Sequence, residues 1–245
     1  MISFRSLERR TFPLVIAHRG ASEQARENTL ESFERAIAIG ADAIECDIRR
    51  TACGTIVVHH DPAVDGSPIP IALQSYREVC GLAAGAGYEI PTLEQTVALC
   101  AGRIALDIEL KESGYEEAVV AQVLDRYSAD HAIFKSFRDS TVARVRQIDS
   151  ALQAGLLIGA PRSVALRSRV RDLTIERRLA HCGATFVAPH WGRLRFGFVR
   201  KMRSLALPII VWTVDRPAMA RLLARKGVAG IVTNVPDRIL TVVRP

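Results

Sequence analysis

No run of about 18 uninterrupted apolar residues occurs in the 245-residue chain, so no membrane-spanning helix is expected. Met1 to Pro13 carries Arg5, Glu8, Arg9 and Arg10 where a secretory leader would have an apolar core, and the chain reads as cytoplasmic. The five cysteines, Cys46, Cys53, Cys80, Cys100 and Cys182, are odd in number and form no C-x-x-C pair. That pattern speaks against a disulfide framework or a zinc site and for reduced, mostly buried thiols. Aromatics are only 6% of the chain, too few for a nucleic-acid surface that interleaves rings with basic side chains. Low-complexity blocks and Ser/Pro/Gly-rich linkers are also missing, and residues 1–245 read as one domain.

What is present is a hydrophobic content of 49% and a repeating order of short apolar runs followed by amphipathic stretches. The strand candidates are Leu14 to His18, Ala43 to Ile48, Arg103 to Leu110, Ala132 to Ser136, Gln153 to Ile158, Thr185 to Ala188, Ile209 to Val214 and Gly230 to Thr233. Strands alternating with helices must run parallel, and eight such units in about 250 residues match an α/β fold of the (β/α)8 TIM-barrel type. A ninth run, Thr55 to His60, follows the second strand after only Ala52-Cys53-Gly54. So short a turn requires an antiparallel hairpin, a flap at the barrel mouth that folds His60 back toward Glu45. Residues 61–90 read as a small insertion with a helix around Gln74 to Cys80. The first barrel helix is expected to start with a capping box between Asn28 and Glu31 and to end at Gly40.

The chemistry concentrates at strand ends. In Glu45-Cys46-Asp47 two carboxylates share one strand face, and Asp107, Glu109 and Lys111 repeat the alternation on the next barrel strand. Carboxylates converging inside a barrel need a cation, and all-oxygen donors suit Mg2+ or Ca2+. A structural ion network with Arg or Lys is the alternative for any one Asp-x-Glu pair. His18 and His60 are placed to reach the cluster as acid and base. Arg19 offers a guanidinium fork for phosphate oxygens, and Lys111 a second cation for a shared anion. His59, His131 and His181 read as structural, whereas His190 ends a strand at the mouth. Between Ala160 and Arg203, eleven Arg and Lys face only Asp172 and Glu176, a local balance of +9 against −2 for the rest. Solvated outer helix faces account for it most simply; contact with anionic lipid headgroups is the sharper reading.

The ordered set His18-Arg19-Gly20, Glu27-Asn28-Thr29, Glu45-x-Asp47, His60-Asp61, Ile90-Pro91-Thr92-Leu93-Glu94, Glu109-x-Lys111, Ser136-Phe137, Trp212-Thr213-Val214 and Thr233-Asn234-x-Pro236-Asp237 resembles the glycerophosphodiester phosphodiesterase family over nearly the whole chain. The resemblance implies a (β/α)8 barrel that uses a divalent cation to hydrolyse a small-molecule glycerophosphodiester to glycerol 3-phosphate and an alcohol. It implies Glu45, Asp47 and Glu109 as metal ligands and His18 with His60 as the acid-base pair. Arg19, Lys111 and Trp212 follow as substrate contacts. Two stretches depart from the family pattern: Asp65-Gly66-Ser67-Pro68 replaces an Asp-Arg-Thr-Thr-x-Gly segment, and Asn234 replaces an Asp. A lysophospholipase D-like activity on a lipid diester is the neighbouring reading, and a non-catalytic binder of anions or nucleic acid the distant one. No nucleic-acid partner is expected, and the chain is read as a monomer or homodimer.

Overall fold

The computed structural model describes residues 1–9, 11–159, 175–194 and 197–244. Its strands are β1 (Leu14–His18), β2 (Ala43–Arg50), β3 (Ile56–Val58), β4 (Ala105–Leu110), β5 (Ala132–Ser136), β6 (Gln153–Ile158), β7 (Phe186–Pro189), β8 (Ile210–Val211) and β9 (Gly230–Thr233). All but β3 are parallel, in the order β7-β6-β5-β4-β2-β1-β9-β8. Parallel bridges from Val187 to Ile209 and from His190 to Trp212 bring β7 against β8 and close the wall. The expected TIM barrel is therefore the observed fold. Around it, among the described residues, lie α1 (Leu30–Ile39), α2 (Tyr76–Gly85), α3 (Leu93–Cys100), α4 (Glu116–Leu124), α5 (Asp139–Ile148), α6 (Ile175–Cys182), α7 (Phe198–Ser204), α8 (Pro217–Arg225) and α9 (Pro236–Val243). None of these helices is long and apolar enough to cross a membrane.

The inward positions of the strands form two zones. Leu14 and Ile16 of β1, Ala43 of β2, Ala105 of β4, Ile133 of β5, Leu157 of β6, Phe186 of β7 and Val232 of β9 pack into an apolar lower core. Phe4 and Leu7 of an N-terminal 3-10 turn plug it from below. Gly155 on β6 makes room for the Phe186 ring, because a Cβ there would lie 2.1 Å from it. Continuing up the same strands by steps of two, the inward residues become His18, Glu45, Asp47, Asp107, Glu109 and Lys135. The period that fills the lower core with hydrocarbon thus places the polar groups together at the C-terminal end, the face on which barrel enzymes carry their chemistry.

Two local expectations need correction. The cap of α1 is Thr29, not Asn28: Thr29 and Ser32 exchange the capping bonds, and Asn28 turns inward to Asp47 instead. Gly40 does end α1, in the left-handed conformation that favours glycine. The helix of the insertion starts two residues later than expected and runs further, with Ser75 and Glu78 as its capping box. The flap β3 is antiparallel to β2 as anticipated: Ile48 pairs with Val58, and the His59 amide donates to the Asp47 carbonyl. Carried one residue past the His59–Asp47 bond, that register sets His60 opposite Cys46, between Glu45 and Asp47. The insertion has its own small core of Val57, Val64, Ile71, Val79, Ala83 and Ile90, which supports the flap from outside.

Candidate active site

Strand alternation brings Glu45 and Asp47 of β2 beside Glu109 of β4, in a register that pairs Glu45 with Asp107 and Asp47 with Glu109. One carboxylate oxygen from each of Glu45, Asp47 and Glu109 lies within 4.8 Å of the others, and all three residues are buried. Two lysines lie against this charge. Lys111 Nζ is 2.8 Å from Asp47 Oδ1 and 2.6 Å from Glu109 Oε1. Lys135 Nζ is 2.7 Å from Asp107 Oδ2 and 3.3 Å from Glu45 Oε1. The ion network weighed in the sequence is thus present, in the same cluster as the three candidate metal ligands. Asp47 Oδ1 and Asp107 Oδ1 are buried yet make no aligned hydrogen bond. A set of three hard oxygen donors this close together fits a divalent cation held by Glu45, Asp47 and Glu109.

Electrostatics separate the acids. Burial would raise Asp47, but Lys111 and Arg19, followed by His60, outweigh it and hold its carboxyl well below the usual range. Burial pushes Glu109 up to about 7 against the pull of Lys111, and Asp107 up to about 6 against that of Lys135. Lys111 and Lys135 would be lowered by burial, yet the surrounding carboxylates raise both.

Arg19 follows β1 with a left-handed backbone, φ 56°. This turn lets its amide donate to Glu45 Oε2 at 3.1 Å while its guanidinium lies 3.0 Å from Asp47 and 2.7 Å from Glu27. Asn28, also left-handed at φ 57°, donates to Asp47 Oδ2 at 2.9 Å and accepts from the Asp47 amide.

The histidines have different partners. His18 Nδ1 is 2.6 Å from Asn234 Oδ1, and its Nε2 is 4.0 Å from Glu45. Asn234 is oriented by Asp215, which accepts from its side-chain Nδ2 and its backbone amide at 2.7 and 2.8 Å. With the amide nitrogen committed to Asp215, the oxygen faces His18, so Nδ1 is the protonated nitrogen and Nε2 keeps its lone pair. His60 Nδ1 is 2.8 Å from the Asp61 carboxylate. Burial, then Lys111, lower the His60 pKa more than Asp47 raises it. The remaining histidines play other parts: His59 is buried, bonds the Ala63 carbonyl and stacks on Tyr88. His190 stands at the mouth, edge-on to Trp212. Trp212 spends its indole N–H on the Ala188 carbonyl and meets Phe137 edge-on, so it offers ring surface.

The structure brings together His18, Arg19, Glu45, Asp47, Glu109 and Lys111, with His60 at the flap end and Trp212 across the mouth. Sequence reasoning missed Lys135, Asp215 and the inward role of Asn28. A lysine inside the apolar run Ala132–Ser136 was the available signal for the first; Asp215 follows a barrel strand but carries no spacing that marks it. Of the basic 160–203 stretch, residues 160–174 and 195–196 lie outside the described residues.

A family model described as the glycerophosphoryl diester phosphodiesterase family matches residues 18–238. The glycerophosphodiester phosphodiesterase of Caldanaerobacter subterraneus subsp. tengcongensis is 29% identical over 251 residues, covering 94% of this chain and 98% of that protein. The YhdW protein of Bacillus subtilis is 33% identical over 242 residues, 92% of this chain and 96% of YhdW. In fold, an Oleispira antarctica phosphodiesterase solved with the product sn-glycerol-3-phosphate superposes with a TM-score of 0.81 at 24% identity, over 96% and 98% of the two chains. With the motif residues gathered at the barrel mouth and the family match running from His18 to Arg238, this chain is an enzyme of the glycerophosphoryl diester phosphodiesterase family.

Proposed function

We propose that the chain, as one phosphodiesterase domain over residues 1–245, hydrolyses water-soluble glycerophosphodiesters to glycerol 3-phosphate and an alcohol in the cytoplasm. The observation that carries this is the convergence of three buried carboxylates, the cations of Arg19 and Lys111 and two histidines on one barrel mouth, in a chain of this family. The product bound to the Oleispira antarctica relative supports the substrate class. A lysophospholipase D-like reading draws no support from these relatives.

Glu45, Asp47 and Glu109 would hold Mg2+ or Ca2+, which when bound supplies positive charge for the phosphodiester oxygens. Arg19 and Lys111 exchange part of their pairing with Asp47 and Glu109 for those oxygens, so their charge meets the transition state already oriented. Trp212 gives the substrate an apolar wall. His18, with a neutral amide on Nδ1, takes the proton of the attacking hydroxyl on Nε2; that hydroxyl belongs to water, or to the glycerol itself, in which case the alcohol leaves a cyclic phosphate that water opens to glycerol 3-phosphate in a second step. The resulting imidazolium is stabilised by Glu45, 4.0 Å away. His60 protonates the departing alkoxide, with Asp61 supporting its imidazolium form against burial and Lys111.

The test is release of glycerol 3-phosphate from glycerophosphocholine and glycerophosphoethanolamine, with EDTA and with Mg2+ or Ca2+ restored, for the native chain and Glu45→Ala. Metal-dependent release that the substitution abolishes is the expected result. No release from any head group by folded protein overturns the reading.

A further inference from the structure

Charge is divided unevenly along the chain. Residues 1–159 hold 16 Arg and Lys against 22 Asp and Glu, whereas residues 160–245 hold 17 against 4. The excess has a place on the described surface. Arg200, Lys201 and Arg203 of α7 and Arg221, Arg225 and Lys226 at the end of α8 are all exposed. Of these six, only Lys201 has a carboxylate partner, Glu176, among the described residues. Arg203 Nη2 donates to the Lys226 carbonyl at 3.0 Å, which ties the two helix ends into one patch. Two large apolar side chains project among these cations: Leu205 is 45% and Leu222 46% exposed. Beneath the patch lies a cavity of about 340 Å3 lined by Leu7, Pro13, Val199, Leu207 and Val228, with Arg203 at its edge.

We propose that this face docks on an anionic phospholipid surface. Unpaired arginines attract the negative headgroups, and leucines set between them enter the boundary below the headgroups, which stacked or hydrogen-bonding partners would not reward. The position carries a further meaning. The end of α7 leads through Pro208 into β8, and Lys226 leads into β9, so the patch lies at the N-terminal end of the barrel. His18, Asp47 and Glu109 open at the opposite end. A molecule docked this way keeps its mouth toward water, the orientation that a soluble diester requires and a lipid diester embedded in the same membrane does not. The proposal goes beyond the hydrolytic reading and does not depend on it.

The experiment is co-sedimentation of the full chain with vesicles of phosphatidylcholine alone, or of phosphatidylcholine with roughly a quarter phosphatidylglycerol, at low salt and at about 0.5 M salt. Binding to the anionic vesicles alone, removed by salt, is expected. R221E/R225E/K226E should weaken it on the order of 100-fold, and L205S/L222S on the order of 10-fold. Both variants lie outside the catalytic site, so their circular dichroism and hydrolysis of a soluble diester should match the native chain. Equal binding to both vesicle types, no binding, or binding indifferent to the charge reversal overturns the proposal. So does a salt-sensitive complex with RNA or self-association that the charge reversal abolishes while vesicles are ignored.

Discussion

Arg49 grips the backbone carbonyl of His60 with two nitrogens, Nε at 3.1 Å and Nη2 at 2.6 Å, while its Nη1 pairs with Glu112. The side chain is buried and belongs to the part of β2 that extends past the barrel wall, so it joins the flap to the rigid sheet. We expect Arg49→Ala to leave the fold intact and lower kcat on the order of 10- to 100-fold, because His60 loses its fixed position. Arg49→Lys, which cannot reproduce the fork, should recover only part of it. Steady-state kinetics on glycerophosphocholine give the answer, and an unchanged kcat would remove Arg49 from the support of His60.

The two histidines are separable by leaving group. A nitrophenolate departs without a proton, so His60→Ala should retain near-native turnover on a glycerophospho-nitrophenyl diester while losing roughly 10²- to 10⁴-fold on glycerophosphocholine. His18→Ala should be impaired on both. The reverse pattern would exchange the proposed roles.

Metal-free protein should become more stable as pH falls from about 8 to about 5. Glu109 and Asp107 have folded pKa values of about 7 and about 6, above those of free carboxyls. On these two carboxyls the folded state binds more protons in that window, so the stability they contribute is lost as pH rises through it, in total on the order of a few kcal/mol, while His59 and His60, lowered by burial, act in the opposite sense. Glu109→Gln should flatten the profile. Added Mg2+ or Ca2+ should reverse the slope, since the cation competes with protons for the same oxygens. Urea melts at several pH values, with EDTA and with metal, read all three.

Gly155→Ala is expected to destabilise the barrel by roughly 1–3 kcal/mol, as its Cβ would overlap the Phe186 ring. Phe186→Leu in the same chain should restore part of the loss, a coupling that a double-mutant cycle measures.

Most of this architecture was legible from periodicity. Two-residue alternation located Glu45, Asp47 and Glu109 on one face because a buried strand leaves the chain no other way to point them, and the parallel register then aligned β2 with β4. What periodicity does not encode is the conformation of the loops between elements. Asn28 had the composition of a helix cap, but a left-handed backbone turned it to Asp47, and the adjacent Thr29 took the cap. Asp215 orients His18 through Asn234, a contact between loops of different strands that exists only once the barrel closes.

The division of the barrel interior into a hydrocarbon lower half and a charged upper half has an engineering consequence. Phe4, Leu14, Ile133 and Phe186 can be repacked without touching any group that meets substrate, so thermal robustness and turnover can be tuned along one axis by different sets of residues. The boundary runs through single strands, between Ile16 and His18 on β1 and between Ile133 and Lys135 on β5. A library confined to one side of it should show its gains in melting temperature, and a library confined to the other in substrate range.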